Sequence, residues 1–305
     1  MTTPEEIESR QELLAALSEP GGPLQADSPH ATIRNPRYYQ KDQKVGGAAV
    51  PLPERRALHL EIRAAWRAEY PNVRTEQSSV LLAGPPGAGK SSIIRNSIFA
   101  DRDPSHWRLL DADVFKDALL SAEVEAGTWQ EMLPPEYRTV PPEKPLFHPN
   151  ELSALVRHES TDLFEQVFYE AIDNGDNLIL DGTLAWKEWA VDLVSGLNES
   201  GYRIQIVDVE APQDVAVERI VSRWRKGYLE AMATSGQDIP MGGRWIPRSA
   251  VDRLFTETRE SDNLPLCGSH RPRDRCPGTS SGGSAACVRG RSCRGSDSAR
   301  VHAVA

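Results

Sequence analysis

The chain of 305 residues carries 35 Lys and Arg against 44 Asp and Glu, a net charge of −9 at pH 7. This acidic composition disfavours nucleic acid as a partner, because nucleic-acid binding relies on neutralising phosphates with Lys and Arg. The sequence contains no apolar run of about eighteen residues, and its amino terminus is acidic. We therefore expect neither a membrane span nor a signal peptide, a cytoplasmic location, and a small molecule as substrate.

Residues 1–53 are predicted to form an N-terminal extension that is partly irregular. A short helical pattern contains Ile7, Leu13, Leu14 and Leu17, and a polar, proline-containing stretch follows as far as Pro53. Since runs of charge usually form a solvated face, we expect the acidic first helix to be an ordinary surface helix. The alternative is that this helix inhibits the rest of its own chain.

The main domain is predicted at residues 54–262 and opens with an amphipathic helix that stops before Pro71. An apolar, β-prone run then ends at Ala83 and gives way to a glycine-rich loop. The loop has the pattern Gly-x4-Gly-Lys-Ser between a strand and a helix, which is typical of a phosphate-binding P-loop. The predicted nucleotide-binding residues are Gly84, Pro85, Pro86, Gly87, Ala88, Gly89, Lys90, Ser91 and Ser92.

The residue types of this loop match the chemistry of a polyphosphate. Glycines let several backbone N–H groups converge on the phosphate oxygens, and the following helix offers its first-turn N–H groups to the same anion. Lys90 supplies a point charge for the β and γ phosphates, and the hydroxyl of Ser91 is the expected ligand of Mg²⁺. The loop predicts binding of a nucleoside triphosphate, ATP or GTP, with Mg²⁺.

Strand and helix patterns alternate in the rest of this domain. A short buried strand precedes Asp111 and Asp113, and an apolar strand at 177–181 ends in Asp181 in the manner of a Walker B element. The remaining predicted elements are a strand at 203–209 and helices at about 151–174, 187–199, 213–232 and 249–260, with an irregular excursion of six prolines at 127–150. The alternation predicts an α/β fold of the P-loop NTPase type, three layers with a mainly parallel sheet flanked by helices.

A kinase also needs a base for the acceptor hydroxyl and positive charge for the transferred phosphoryl group. Asp113 is the candidate base, with capping of a helix that begins at Val114 as the structural alternative. Arg223, Arg225 and Arg244 are candidates to hold the phosphoryl group, although any single Arg is more often a solvated surface residue.

Taken together, these motifs resemble the zeta toxin family, the kinases of bacterial epsilon/zeta toxin–antitoxin modules, over about residues 55–260. The matching features are Gly84–Ser92, Asp111–Lys116, the helix through Glu165, Leu178–Thr183, Arg223 in Ser-Arg-Trp, and Gly242–Pro247. The resemblance implies ATP- and Mg²⁺-dependent phosphorylation of the 3′-hydroxyl of the amino sugar in UDP-N-acetylglucosamine. It also implies a small helical antitoxin as partner, although some relatives occur without one.

The resemblance assigns roles residue by residue. It makes Asp113 the catalytic base, and Arg223 and Arg244 the two arginines that stabilise the phosphoryl group. It places Glu165, Asp181 and Thr183 at sugar-nucleotide contacts, where Asp181 replaces the Glu of the best-known members. The catalytic set is therefore Lys90, Asp113, Arg223 and Arg244.

Two other functions stay open at this point. One keeps the kinase chemistry with a different acceptor, such as an antibiotic, another sugar nucleotide or a polynucleotide end, the last disfavoured by the acidic composition. The other is a catalytically inactive protein that binds a nucleoside triphosphate or sequesters an antitoxin.

Residues 263–305 are predicted to be a separate, low-complexity tail that is disordered or frameshifted. Residues 267–305 contain seven Arg and two Asp, a net charge of +5 that leaves −14 for the remainder, and all four cysteines without a Cys-x2-Cys pair. Family members usually continue into a further strand, for which this segment has no pattern. We hypothesise a slipped reading frame, which intact in-frame coding on resequencing would refute.

Overall fold

The computed structural model describes residues 3–42, 47–140, 144–234, 238–255, 288–291 and 298–304. The helices are α1 (Pro4–Leu17), α2 (Pro53–Ala68), α3 (Lys90–Ile93), α4 (Ala112–Glu125), α5 (Arg157–Asn174), α6 (Lys187–Glu199), α7 (Gln213–Ala233) and α8 (Arg248–Asp252). The strands are β1 (Tyr39–Asp42), β2 (Ala48–Pro51), β3 (Ser78–Ala83), β4 (Arg108–Asp111), β5 (Thr139–Val140), β6 (Lys144–Pro145), β7 (Leu178–Asp181), β8 (Arg203–Glu210), β9 (Val288–Arg291) and β10 (Ser298–Val304). Within these ranges, every helix is too short or too polar to span a lipid bilayer.

The chain divides into two compact units, each built from three segments. The first unit comprises Met1–Glu69, Ala112–Val167 and Ile220–Ser249. The second comprises Tyr70–Asp111, Phe168–Arg219 and Ala250–Ala305. The sequence-based boundaries at residues 53 and 262 stay predictions, since this division follows contacts rather than chain order.

The second unit is organised by a sheet in which β4, β7, β3 and β8 lie side by side in that order and run parallel. Val80, Leu81 and Leu82 of the central strand β3 are at most 1% exposed. A parallel strand that is covered on both faces requires such a continuous apolar run. The predicted α/β fold of P-loop kinase type, with a mainly parallel sheet flanked by helices, is confirmed.

The phosphate-binding loop leaves this sheet at its central strand. β3 has β7 on one side and β8 on the other, so the chain crosses to both sides of β3, and such switch points are where ligands bind in open parallel sheets. Leu82 is in register with Asp181, and Asp111 is in register with Asp181. The carboxyl ends of three strands therefore present the loop and two carboxyl groups at one edge.

The tail differs from its prediction in the stretches that the structure describes. β10 pairs antiparallel with β8, and β9 pairs antiparallel with β10. The sequence predicted no further strand here because these residues lack an apolar alternation; the pairing uses backbone groups, which composition does not reveal. The predicted helix near 249 ends at Asp252, and residues 256–287, with three of the four cysteines, lie outside the described residues.

The N-terminal extension belongs to the first unit, and residues 18–31 between its helix and its 3₁₀ turn are a run of turns and bends. Residues 20–53 include a short 3₁₀ turn, Thr32–Arg34, and the antiparallel hairpin of β1 and β2. Tyr38, 5% exposed, donates a hydrogen bond through its hydroxyl to Glu123 at 2.8 Å. The extension is thus packed against α4.

Buried charges tie three helices of this unit together. Arg55 on α2 contacts Glu123 on α4 at 2.6 Å and Glu159 on α5 at 2.5 Å, and His59 lies 2.6 Å from Glu159. Burial raises the pKa of Glu159, but hydrogen bonds from His59 and Arg55 outweigh it and lower the pKa to about 2. Because a buried carboxylate needs such partners, the cluster ties α2 to both α4 and α5.

One predicted helix boundary in the first unit was wrong in detail. Pro149–Leu152 forms a 3₁₀ turn, and α5 begins only at Arg157 rather than near 151. Thr139–Val140 and Lys144–Pro145 form a very short hairpin inside the proline-rich excursion, which otherwise has the irregular character expected from its prolines.

Candidate active site

The phosphate-binding loop takes its shape from glycines in conformations that other residues rarely adopt. Gly84, which follows β3, has φ +141°, and a Cβ there would lie 2.2 Å from the carbonyl oxygen of Val209. Gly89, immediately before α3, is left-handed with φ +103°. Gly84 therefore permits the loop to leave the sheet against β8, and Gly89 turns the backbone into α3.

Lys90 closes over this loop. Its Nζ donates to the carbonyl oxygens of Gly84 at 2.9 Å and Pro85 at 3.3 Å, and lies 3.7 Å from Oδ1 of Asp181. Its side chain is 13% exposed. The structure thus brings together two predicted site residues, Lys90 and Asp181, from different strand ends.

The segment that follows β7 contacts the start of the same loop. The backbone N–H of Gly84 donates to the carbonyl oxygen of Thr183 at 3.3 Å. The next residue, Leu184, has φ +46°, an uncommon conformation for a branched side chain. Backbone strain of this kind is concentrated at ligand sites, and here it adjoins the predicted substrate residue Thr183.

Oxygen donors near the loop fit a nucleotide-bound Mg²⁺. In the described part of the chain, no cluster of three or more His, Cys, Asp or Glu side chains is arranged to hold a metal alone. Mg²⁺ on a nucleotide needs fewer protein ligands, since phosphates and water complete its shell. Ser91 lies in the first turn of α3 with an exposed side chain, and Asp111 and Asp181 end paired strands. A hydroxyl and carboxylates are donors of the type that Mg²⁺ prefers.

The first unit contains Asp113, Arg223, Arg244 and Glu165, and Lys116 and Arg244 contact the carboxylate of Asp113. Asp113 lies in the first turn of α4, which begins at Ala112, so the expected capping of a helix from Val114 does not occur. Its carboxylate accepts from Nζ of Lys116 at 2.8 Å and forms an ion pair with Arg244. Arg244 also donates to the carbonyl oxygen of Asp113 at 3.2 Å.

The electrostatics of this group keep Asp113 ionised. Burial raises the pKa of Asp113, but the charges of Lys116 and Arg244 outweigh it, with a further contribution from Arg223, and lower the pKa to about 2. Asp117, one helical turn after Asp113, accepts a hydrogen bond from Arg244 and holds the guanidinium from a second side. The carboxylate of Asp113 is therefore ionised at neutral pH.

The remaining predicted site residues are Arg223 and Glu165. Arg223 is exposed on α7 and acts on Asp113 through its charge. Glu165 is half-buried in the middle of α5, where its charge contributes, after burial, to a raised pKa of the neighbouring Asp162. The structure groups Arg223 with Asp113 electrostatically and gives no such link for Glu165.

The sequence analysis missed several residues that hold this group. Lys116 and Asp117 lie three and four residues after Asp113, and this spacing on a helix was the available signal. Trp224 and Trp245 follow the two predicted arginines and are 0% and 7% exposed. Their importance had no local signal, because it depends on packing between distant segments.

Comparison with known proteins gave a family and several more distant similarities. The model of the family described as zeta toxin matches residues 63–263. A calmodulin calcium-dependent NAD kinase of Arabidopsis thaliana is 27% identical over 148 residues, 44% of this chain and 24% of that protein. The chain thus spans about a quarter of the length of this curated relative.

Solved structures with similarity to the chain come from a toxin–antitoxin system and from a complex of two other proteins. One is from the PezAT chromosomal toxin–antitoxin system of Streptococcus pneumoniae, at 17% identity and a TM-score of 0.43, covering 58% of this chain and 64% of that chain. The AvrRxo1-ORF1:AvrRxo1-ORF2 complex with sulphate ions has 20% identity and a TM-score of 0.44, covering 58% and 52%. The same complex with ATP has 20% identity and a TM-score of 0.43, covering 60% and 52%.

The family model covers the phosphate-binding loop, the strand ending in Asp181 and the group around Asp113, which is well over half of the chain. The chain belongs to the zeta toxin family, whose members are kinases.

Proposed function

We propose that this protein is an ATP-dependent kinase that phosphorylates the 3′-hydroxyl of the amino sugar of UDP-N-acetylglucosamine. The observation that carries the kinase assignment is the ionised carboxylate of Asp113, held by Lys116 and Arg244. A carboxylate poised among cations suits a reaction that takes a proton from a hydroxyl and transfers a negatively charged group. Membership of the zeta toxin family supports the same reaction.

In this proposal the second unit binds the nucleotide. The backbone N–H groups of residues 84–92 surround the phosphates, and Nζ of Lys90 exchanges its contacts with the Gly84 and Pro85 carbonyls for phosphate oxygens. Mg²⁺, when bound, neutralises charge on the β and γ phosphates. Ser91 would hold the ion, with Asp181 ordering its water ligands.

Asp113 is the proposed base, and Arg223 and Arg244 are the proposed phosphoryl-binding residues. Asp113 accepts the proton of the acceptor hydroxyl as its oxygen attacks the γ-phosphorus, and the bond from that phosphorus to the β–γ bridging oxygen breaks to release ADP. Arg244 and Arg223 stabilise the charge on the transferred group. Asp117 keeps the guanidinium of Arg244 oriented while the charge of Asp113 is neutralised by the proton.

The acceptor is the finer part of the proposal, supported by the family resemblance and by the half-buried Glu165 and the strained segment at Thr183. One observation favours a second acceptor. The Arabidopsis thaliana relative is named an NAD kinase, which acts on a ribose hydroxyl of a dinucleotide rather than on an amino sugar. The two acceptors use the same base and the same phosphate-binding loop, and differ in the pocket that orients them.

The proposal is tested by phosphoryl transfer with purified protein, ATP and Mg²⁺, and either UDP-N-acetylglucosamine or NAD, with product mass measured. We expect one added phosphate on UDP-N-acetylglucosamine. Asp113→Asn should bind ATP normally by calorimetry and lose roughly 10²–10⁴-fold in kcat, since it removes the base and spares the phosphate-binding loop. Lys90→Ala should instead weaken ATP binding.

The outcomes test the acceptor, the kinase reaction and the role of Asp113 separately. Transfer to NAD alone would replace the acceptor and keep the kinase. ATP binding without transfer to either would contradict both acceptors and favour the inactive nucleotide-binding alternative. Near-normal turnover by Asp113→Asn would remove Asp113 from the mechanism. An antitoxin partner stays a prediction, to be tested by inhibition with a small helical protein encoded beside this chain.

A further inference from the structure

Each of the two proposed phosphoryl-binding arginines is followed by a buried tryptophan. Arg223 precedes Trp224 on α7, and Arg244 precedes Trp245. The two indole rings meet edge to face, with centroids 5.4 Å apart and an interplanar angle of 78°. This geometry is favourable for aromatic pairs, so the pair links the backbone positions of both arginines.

The segment that carries Arg244 also contacts the backbone of α7 closely. A Cβ on Gly243 would lie 2.0 Å from the carbonyl oxygen of Trp224, and a Cβ on Gly227 would lie 2.6 Å from Cα of Gly243. Only glycine at these positions permits the contact. We name residues 242–247 the arginine loop; its backbone position is set by packing against α7.

Both indole N–H groups are connected to the N-terminal helix. Nε1 of Trp245 donates to Oγ of Ser18, the C-cap residue of α1, at 3.1 Å. Nε1 of Trp224 donates to Oε1 of Glu151 at 3.0 Å. Glu151 in turn is paired with Arg10 of α1 through both of its carboxylate oxygens. Two independent hydrogen-bonded routes therefore lead from α1 to the tryptophan pair.

The second route, from Arg10 through Glu151 to Trp224, depends on a buried ion pair. The side chain of Glu151 is 0% exposed, and that of Arg10 is 11% exposed. The guanidinium of Arg10 also donates to the carbonyl oxygen of Leu146 and lies 4.5 Å from the ring centroid of Phe147. A buried carboxylate without a counter-charge is costly, so the contact of Glu151 with Trp224 depends on the guanidinium that Arg10 supplies from α1.

Burial of the same face of α1 fits this arrangement. Ile7, Leu14 and Leu17 are buried, and the capping box of Thr3 and Glu6 fixes the start of the helix. A helix that only formed a solvated face would lack these contacts. We propose that α1 is a positioning element that sets Arg223 and Arg244 through Arg10, Glu151, Ser18 and the tryptophan pair; this role rests on the proposed kinase function.

The test compares Arg10→Met with the wild type and with Glu12→Gln, a matched change at an exposed position of the same helix. For Arg10→Met we expect kcat to fall roughly tenfold or more, because small displacements of groups that bind the transition state are costly. The KM for ATP should stay within about twofold, since the phosphate-binding loop is untouched. Hydrogen exchange at residues 241–246 should become faster. Glu12→Gln should change none of these quantities.

Two further variants test the proposal if Arg10→Met does not fold. Arg10→Lys keeps the charge beside Glu151, and should restore most of the activity. Ser18→Ala removes only the acceptor of Trp245, and should lower kcat by a smaller factor with an unchanged melting temperature. A folded Arg10→Met or Ser18→Ala protein with wild-type kcat and wild-type exchange at 241–246 would overturn the proposal.

The exchange measurement separates this proposal from the proposed function. If the wild type transfers phosphate to no acceptor, the kinase proposal fails, and exchange at 241–246 still reports whether α1 holds the arginine loop. If the wild type is active and exchange at 241–246 is unchanged in Arg10→Met and in Ser18→Ala, the kinase proposal stands and the positioning role of α1 is wrong.

Discussion

The phosphate-binding loop and the arginine loop are both short, glycine-containing segments, but they are held in different ways. Residues 84–92 are shaped by local backbone contacts, with Gly84 against Val209 and Lys90 bonded to the carbonyls of Gly84 and Pro85. The arginine loop is held by side chains far away in sequence. Trp245 bonds to Ser18, 227 residues away, and Asn150 donates to the carbonyl of Gly242, 92 residues away.

The difference agrees with what each loop is proposed to bind. A phosphate-binding loop offers backbone N–H groups, so its function follows from φ angles that glycine sets locally. An arginine that stabilises a transferred group acts through the end of a long, flexible side chain, which must be oriented by partners such as Asp113 and Asp117. Segments of the first kind can be recognised in sequence, and segments of the second kind depend on the surrounding fold.

The largest effect that separates the two loops is expected from Gly243→Ala. The added Cβ would collide with the carbonyl oxygen of Trp224 at 2.0 Å and displace the arginine loop. We expect kcat to fall roughly 10²-fold, with ATP affinity unchanged by calorimetry. Gly196→Ala is the matched control, because the nearest atoms to a Cβ there lie at 4.0 Å. A wild-type kcat in Gly243→Ala would show that the arginine loop does not determine the rate.

The converse change, Gly84→Ala, should act on nucleotide binding. It combines φ +141° with a Cβ only 2.2 Å from the carbonyl oxygen of Val209. We expect ATP affinity to fall by at least about tenfold, equivalent to losing one charge-assisted hydrogen bond. Hydrogen exchange of the arginine loop should be unaffected. Retention of full ATP affinity would contradict the assignment of this loop to phosphate.

The smallest expected effect is on the pH dependence of kcat/KM, which the cations around Asp113 influence. Its folded-state pKa of about 2 lies below the usual value, so its contribution to stability is complete above pH about 4 and is lost as the pH falls toward 2. Asp113 should therefore cause no loss of kcat/KM between pH 5 and 8. Lys116→Met removes one of the two main lowering charges and should move the acid limb of the profile to higher pH. An acid limb from Asp113 near neutral pH in the wild type would contradict this assignment.

Much of the second unit could be predicted from sequence. The apolar run of β3, the loop at 84–92 and the strand that ends at Asp181 are continuous in sequence, and each contains its own structural signal. The boundaries of α6 were correct for the same reason, since its helical periodicity is local. The errors fell on α5, which begins at Arg157 after an unexpected 3₁₀ turn, and on strands β9 and β10, which have no apolar pattern.

What the sequence by itself determined was the fold, the phosphate-binding loop, and the residues proposed for catalysis, because backbone conformation and apolar periodicity are properties of neighbouring residues. Only the tertiary structure decided how those residues are held. Arg10 and Glu151 are 141 residues apart, and Ser18 and Trp245 are 227 residues apart. A buried charge finds its partner by packing rather than by proximity along the chain, so no local pattern marks α1 as the helix that holds the arginine loop.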